Sequence, residues 1–320
     1  ALKKVQEGSG REYLEKIVQI PFEVPLADKQ EIERLLFSQL DQLIKDVPED
    51  QWDQVYWGNI YHSGLKHFFE NIRDVTRYVN ALRLSFEMVR GEVSAIDFMA
   101  ITGLQVFLPD VYAGIRDNKD LFAGASRDRG SQAQKDEDLK VCENILGCAG
   151  DIDKERLKDF LKRLFPRLES ILGNMNYGSD WLDNWRKAGR ICSPDIFDTF
   201  FRLSLSKNEL SQKEILRIIS NSNNGGSFAN DLKNLIPQGK IIRFLERLED
   251  YTKKDIPEEN MGNIINALID LGDTFPEGET GFFGFDTPLR ILRITHQLLR
   301  RLDDRAKRFS TIEEAFKKAE

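Results

Sequence analysis

Two arginines one helical turn apart are the strongest candidates for chemistry in this sequence. Arg73 and Arg77 fall on one face of a segment with helical periodicity. Two guanidinium groups on one face suit an anion, either a phosphate or a carboxylate, because each presents a planar set of donors. The alternative is that they pair with acidic neighbours such as Asp74 or Glu70, and the pattern alone favours this pairing.

A second cationic group lies near the C-terminus, where it could meet an acidic surface or nucleic acid. Its members are Arg290, Arg293, Arg300, Arg301, Arg305, Lys307 and Arg308. Because Asp303 and Asp304 are interleaved with them, pairing with internal carboxylates is the favoured interpretation. The formal net charge of −7 also argues against nucleic-acid binding by the chain as a whole.

Other common catalytic patterns are missing from the sequence. A phosphate-binding loop needs Gly-x-x-x-x-Gly-Lys-Ser/Thr, but the one Gly-Lys pair, Gly239-Lys240, is followed by Ile241 and lacks the first glycine. Cys142 and Cys148 do not have the spacing of a common zinc site. No Gly-x-Ser-x-Gly nucleophile elbow occurs. We therefore predict no metal site and no catalytic residue within this chain.

Helical signals dominate the elements that must position these residues. Capping patterns at Asp28–Glu31 and Ser94–Asp97 each precede an apolar stretch, and helical periodicity continues over 153–172. The best strand candidate is Ile17–Ile20, which would need sheet partners that the rest of the sequence does not offer. We predict a mainly α fold with this one residual strand. Residues 124–136 are polar, small and aperiodic, which predicts a linker.

The composition bears on the location of the protein. Three cysteines form an odd, sparse set that is typical of a reducing compartment. No uninterrupted apolar run reaches the length of about 18 residues that a membrane-spanning helix requires. These features favour a cytoplasmic location.

Three blocks of the sequence resemble the KAP family of P-loop NTPases, in the STAND/AAA-like branch of the fold. Residues 11–25 are similar to the segment that follows the Walker B motif in that family. Residues 71–82 resemble the family's Pro-Arg-x-x-x-Arg-x-x-Asn-x-Leu helix, with Ile72 in place of the proline, and the likeness continues to Asp97. Residues 190–202 resemble the Ser-Pro-Glu-x-Phe-x-x-Tyr-Phe segment of the bacterial C-terminal extension.

This resemblance implies a division of the chain. Residues 1–27 would be the tail of an α/β P-loop core, 28–123 a helical lid, 124–136 a linker, and 137–320 a C-terminal helical domain for regulation or interaction. The lid of such proteins supplies a sensor-2-type arginine that reaches the nucleotide phosphates. The resemblance assigns this nucleotide-binding role to Arg73, with Arg77 in support.

The Walker A and Walker B motifs are missing, so the resemblance implies ATP and Mg²⁺ for a full-length ATPase and an inactive fragment with neither bound. The implied partners are the protein's own N-terminal P-loop core and an unidentified protein bound by the C-terminal domain. Membrane association is expected only through the missing region, at the cytoplasmic face of the inner membrane. Bacterial phage defence or signalling is the implied role. The alternative is a stand-alone, all-helical interaction module without nucleotide chemistry.

Overall fold

The computed structural model describes residues 28–125, 132–150, 153–173, 177–178, 180–205, 209–276 and 287–319. The regular elements in these ranges are helices, and the one β-bridge joins Arg90 to Val93 in a turn. The prediction of a mainly α fold is confirmed. The strand predicted at Ile17–Ile20, with the rest of 1–27, lies outside the described residues.

Buried apolar side chains form two separate clusters in the described part of the chain. One cluster runs from Ile32 to Phe200 and the other from Leu210 to Ala315. We call the helices around the first cluster unit one (28–205) and those around the second unit two (209–319). The backbone crosses from one unit to the other after Leu203, which adopts the left-handed conformation with φ of 54°.

Unit one contains eleven of the described α-helices. They are α1 (Lys29–Ile44), α2 (Gln54–Ser63), α3 (Ile72–Val89), α4 (Ala95–Phe107), α5 (Pro109–Asp117), α6 (Lys119–Phe122), α7 (Gln132–Gly147), α8 (Lys154–Leu164), α9 (Leu168–Leu172), α10 (Asp180–Lys187) and α11 (Pro194–Arg202). Short 3₁₀ turns at Glu49–Gln51 and Leu65–Phe68 connect some of them.

Unit two contains the remaining six described α-helices. They are α12 (Gln212–Ser220), α13 (Gly225–Leu235), α14 (Ile241–Tyr251), α15 (Glu258–Leu271), α16 (Thr287–Arg301) and α17 (Arg305–Ala319). Helix α15 lies at the centre of this unit, since α13, α16 and α17 all pack against it.

The first apolar cluster continues across 124–136, where the sequence suggests a linker. The rings of Phe122 and Phe165, which flank this stretch, are 5.0 Å apart between centroids. Gly124 also donates its backbone N–H to the carbonyl of Cys192 at 2.8 Å. Buried side chains on both sides of 124–136 therefore belong to one apolar cluster, while the linker and the domain bounds remain a prediction.

Helix α4 is the central helix of unit one. The Ser94 side chain caps it by accepting the N–H of Asp97 at 3.3 Å, and every residue from Ala95 to Leu104 is buried. A helix that is buried on all sides must be surrounded by other helices. Helices α2, α3 and α5 provide this cover, so α4 fixes the position of α3 and its arginines.

Candidate functional site

The outer face of α3 holds both candidate arginines. The helix buries Val75 and Tyr78 on its inner face, and the Tyr78 hydroxyl donates to the Met99 carbonyl at 2.9 Å. Arg73 and Arg77 point the other way and are exposed. The predicted amphipathic helix is therefore present, with the two guanidinium groups on its solvent side.

The same outer face changes character toward the end of α3. Asn80, Leu84 and Met88 follow Arg73 and Arg77 at helical spacing. Leu84 is 81% exposed and Met88 is 63% exposed, which is high for such large apolar side chains. The face is thus cationic in its N-terminal half and apolar in its C-terminal half.

Neither arginine forms an ion pair with the residues that the structure describes. Arg77 donates to the Val106 carbonyl at 3.2 Å, and its guanidinium carbon lies 5.7 Å from the centroid of the Phe107 ring. Asp74, the alternative partner suggested by the sequence, accepts the backbone N–H of Glu70 at 3.2 Å instead. Arg77 is therefore held in place by the end of α4, while Arg73 has no intramolecular acceptor in the described region.

A buried charged cluster lies deeper in unit one, around Asp97 in the first turn of α4. Oδ2 of Asp97 accepts the Arg190 Nε–H and the Ile191 backbone N–H, each at 2.8 Å. The Tyr56 hydroxyl donates to Oδ1 at 2.6 Å. Arg190 also donates to the Arg163 carbonyl at 3.0 Å, and its guanidinium stacks 4.0 Å from the centroid of the Tyr56 ring.

The charged groups of this cluster are buried and paired with one another, as is typical of a structural ion pair. Asp97 is fully buried, and the Arg190 side chain is 16% exposed. Burial, and then the charge of Asp97, raise the pKa of the Tyr56 hydroxyl well above its ordinary value. The cluster therefore keeps a neutral tyrosine between an aspartate and an arginine. The sequence marked Asp97 and Arg190 in separate blocks but gave no sign of their pairing, because they are 93 positions apart.

Most of the C-terminal cations have partners within the chain. Arg290 and Arg293 pair with glutamates of α14, Lys307 pairs with Glu258, and Arg308 donates to the Leu302 carbonyl. Arg301 donates to three backbone carbonyls that follow α14, at Thr252, Lys254 and Ile256. This arrangement supports the internal-pairing interpretation of the group over a nucleic-acid surface.

All three cysteines are free thiols; Cys142 and Cys192 are buried and Cys148 is exposed. Burial raises the pKa of the Cys142 thiol to about 11 and that of Cys192 to about 12, so both are inert thiols at neutral pH. Over the described ranges, no cluster of metal-ligating side chains was found. In the same ranges no helix combines the length and apolar character needed to cross a bilayer.

The described residues fit only one part of a nucleotide site. Among the described residues the Arg73 guanidinium has no partner, and it fits a phosphate oxygen. Gly239-Lys240 forms a turn before α14, in which Gly239 has φ of 69°, and lacks the rest of a phosphate-binding loop. A nucleotide and its Mg²⁺ would therefore need a P-loop domain beyond the residues described.

Comparison with known proteins finds a similarity to P-loop NTPases in the first part of the chain. The family model of the KAP family P-loop domain matches residues 1–89. The predicted resemblance to this family is confirmed over that segment, which ends with the last residue of α3 and so includes Arg73 and Arg77. Asp97, Arg190 and all of unit two lie beyond it. No curated protein and no solved structure matches the chain.

Proposed function

We propose that this chain supplies the helical lid and C-terminal region of a KAP-family P-loop ATPase. The observation that carries the proposal is the exposed pair Arg73 and Arg77, on a helix within the segment matched by the P-loop domain family. The partner is the protein's own N-terminal core, which would carry the Walker motifs and bind ATP and Mg²⁺. Phage defence or signalling is a further proposal, drawn from the family alone.

In this proposal Arg73 is the residue that reaches the nucleotide. Its side chain is exposed and has no ion pair in the described region. A phosphate that binds its guanidinium therefore does not have to displace a carboxylate of the described region. A guanidinium brought against the transferring phosphate stabilises the charge that spreads over its oxygens. Because Arg73 lies on a rigid helix, its approach would depend on the position of the whole lid.

Arg77 would support this contact from one turn further along α3. Its contacts with the Val106 carbonyl and the Phe107 ring fix its direction, so it adds a positive charge at a set distance from Arg73. The exposed Leu84 and Met88 complete the face with apolar surface. A P-loop core that covered this face would bury both halves and exclude water around the two guanidinium groups.

The proposal is tested by ATP hydrolysis in the full-length protein. We expect Arg73→Ala to lower kcat on the order of 10²-fold or more, the size seen when a charge-stabilising donor is lost. Its melting temperature should not change, because Arg73 makes no described intramolecular contact. Arg83→Ala is the matched control, since Arg83 is exposed on the same helix but donates to Gln39 of α1.

A second expectation concerns the chain by itself. We expect the 320 residues alone to show no ATP turnover, because they contain no phosphate-binding loop. Turnover that disappears in Arg73→Ala of this chain would overturn the proposal. An unchanged rate in full-length Arg73→Ala would instead favour the alternative, an interaction module. Phe309 and Phe316, exposed on α17 at 71% and 61%, are the observation that supports this alternative.

A further inference from the structure

The contacts between units one and two are polar. Each apolar cluster, together with the half-buried side chains packed on it, stays within its own unit over the described residues. Side chains of the two units therefore meet without forming a common core. Apolar burial is the main force that makes two packed bodies act as one, and this junction lacks it.

The centre of the junction is Arg186 of α10. Its Nε and Nη2 donate to Asp250 of unit two at 2.7 and 2.5 Å, and its Nη1 donates to Asp195 of unit one at 2.7 Å. Burial raises the pKa of Asp250 to about 6, although Arg186 acts to lower it. Desolvation of this carboxylate thus offsets part of its attraction to Arg186.

Further ion pairs flank this centre on the surface, among them a long one between Arg243 and Asp195 at 3.8 Å. Lys187 pairs with Asp255 at 2.6 Å, and Lys253 pairs with Asp183 at 3.1 Å. The Asp255 and Asp183 side chains are 42% and 34% exposed, so water and salt screen both pairs. These two exposed ion pairs therefore add little to the stability of the contact between the units.

The third contact joins α12 to the turn that follows α3. The backbone N–H of Gln212, the first residue of α12, donates to Glu92 at 2.7 Å. A cleft of about 770 Å³ lies beside this bond, between the loop that follows α1, the turn after α3, and the ends of α10, α12 and α14. The units therefore leave open space beside the contacts of Glu92 with Gln212 and of Lys187 with Asp255.

We propose that the two units form a hinged pair, in which this polar junction opens and closes while both cores stay folded. Opening would break the contacts at Asp250, Asp255, Asp183 and Glu92, together with that of Arg243 to Asp195, and widen the cleft. Glu92 lies three residues after the end of α3, so opening would also release the turn that ends that helix. If the proposed function holds, unit two thereby controls the freedom of the lid.

Charge reversal at the junction tests the proposal. In Asp183→Lys/Asp255→Lys, the new lysines face Arg186, Lys187 and Lys253, and repulsion should force the units apart. Both substituted side chains are partly exposed, so the cores should remain folded. Spin labels on Cys148, which is exposed, and on Lys233→Cys of α13 report the separation by electron–electron double resonance. Cys142 and Cys192 are buried and should not be labelled.

We expect a longer and broader distance distribution in the reversal variant at low salt. It should return toward that of the parent in about 1 M KCl, where the screening length is about 3 Å. Adding Lys187→Asp and Lys253→Asp restores opposite charges and should restore the parent distribution. Glu313→Lys breaks an ion pair within α17 and should change nothing. An unchanged distribution in the reversal variant would overturn the proposal.

Hydrogen exchange supplies a second measurement on the unmodified chain. The Gln212 amide has Glu92 as its acceptor across the junction, whereas the Ile219 amide belongs to the buried part of α12. We expect Gln212 to exchange through local opening, much faster than Ile219. Equal protection of both amides would contradict a hinge, even if the reversal variant failed to fold. Neither measurement involves nucleotide, so failure here leaves the proposed ATPase role standing.

Discussion

Replacing Asp97 by asparagine should destabilise unit one by about 3–5 kcal/mol. The carboxylate accepts three hydrogen bonds, from Arg190, Ile191 and Tyr56, and it is fully buried. An asparagine keeps one acceptor oxygen and places an NH₂ group against donors. Removing one partner of a buried ion pair costs about 3–5 kcal/mol, because the remaining charge stays buried without compensation. That loss is a large share of the roughly 5–15 kcal/mol that stabilises a domain.

Tryptophan fluorescence isolates this effect, because all four tryptophans lie in unit one. They are Trp52, Trp57, Trp181 and Trp185. With a urea slope of about 2–3 kcal/mol/M, the expected loss lowers the unfolding midpoint by roughly 1–2 M. Circular dichroism follows both units, so it should show unit two unfolding at an unchanged midpoint.

The control is Asp117→Asn, which breaks an exposed ion pair with Arg116 in the same unit. We expect it to cost little stability, because water and salt screen an exposed pair. A loss of that small size in Asp97→Asn would refute the reasoning. So would strict additivity in the double variant Asp97→Asn/Arg190→Gln, because residues that share a buried pair must show a coupling energy.

Three other expectations concern stability. Gly189→Ala should lower the free energy of unfolding in urea several times more than Gly91→Ala. Both glycines have positive φ, but a Cβ at Gly189 would lie 2.9 Å from a backbone nitrogen, whereas a Cβ at Gly91 meets open space. Asp250 has a folded pKa of about 6, above its unfolded value of about 3.9, so its stabilising contribution is complete below pH 4 and is lost as the pH rises through 6. Relative to Asp250→Asn, the parent should therefore lose up to roughly 3 kcal/mol between pH 4 and 7, and a relative gain in melting experiments would contradict this assignment. Arg77→Ala should cost up to about 1 kcal/mol through its lost contact with Phe107, whereas Arg73→Ala should leave the urea midpoint unchanged.

Local features of the fold were predictable from the sequence because short-range chemistry determines them. Asp28 caps α1 and Ser94 caps α4 through side-chain oxygens, as their positions before apolar periodic segments indicate. The buried face of α3 followed from spacing alone. The predicted helix over 153–172 is broken in the structure, between α8 and α9, where Pro166 cannot donate a helical hydrogen bond.

Long-range features were not predictable from one sequence. A polar stretch such as 124–136 has the composition of a linker whether it joins two domains or returns to the same core. The division between the units depends on which apolar faces meet, and this is decided by packing across many helices. The exposed state of Arg73 and Arg77 followed from periodicity, but their lack of carboxylate partners in the described region required coordinates.

The wide spacing of the Asp97 cluster has a consequence for how the protein is made. Tyr56 and Arg190, whose side chains are hydrogen-bonded, are 134 positions apart, and Arg190 is 93 positions beyond Asp97. At a synthesis rate of about 5–20 residues per second, Asp97 waits roughly 5–20 s for its partner to be made. During that time α4 cannot be buried in its final form without a lone charge. The burial of α4 beneath α3 is therefore completed only after the ribosome has passed residue 190, well beyond residue 89, where the family match ends.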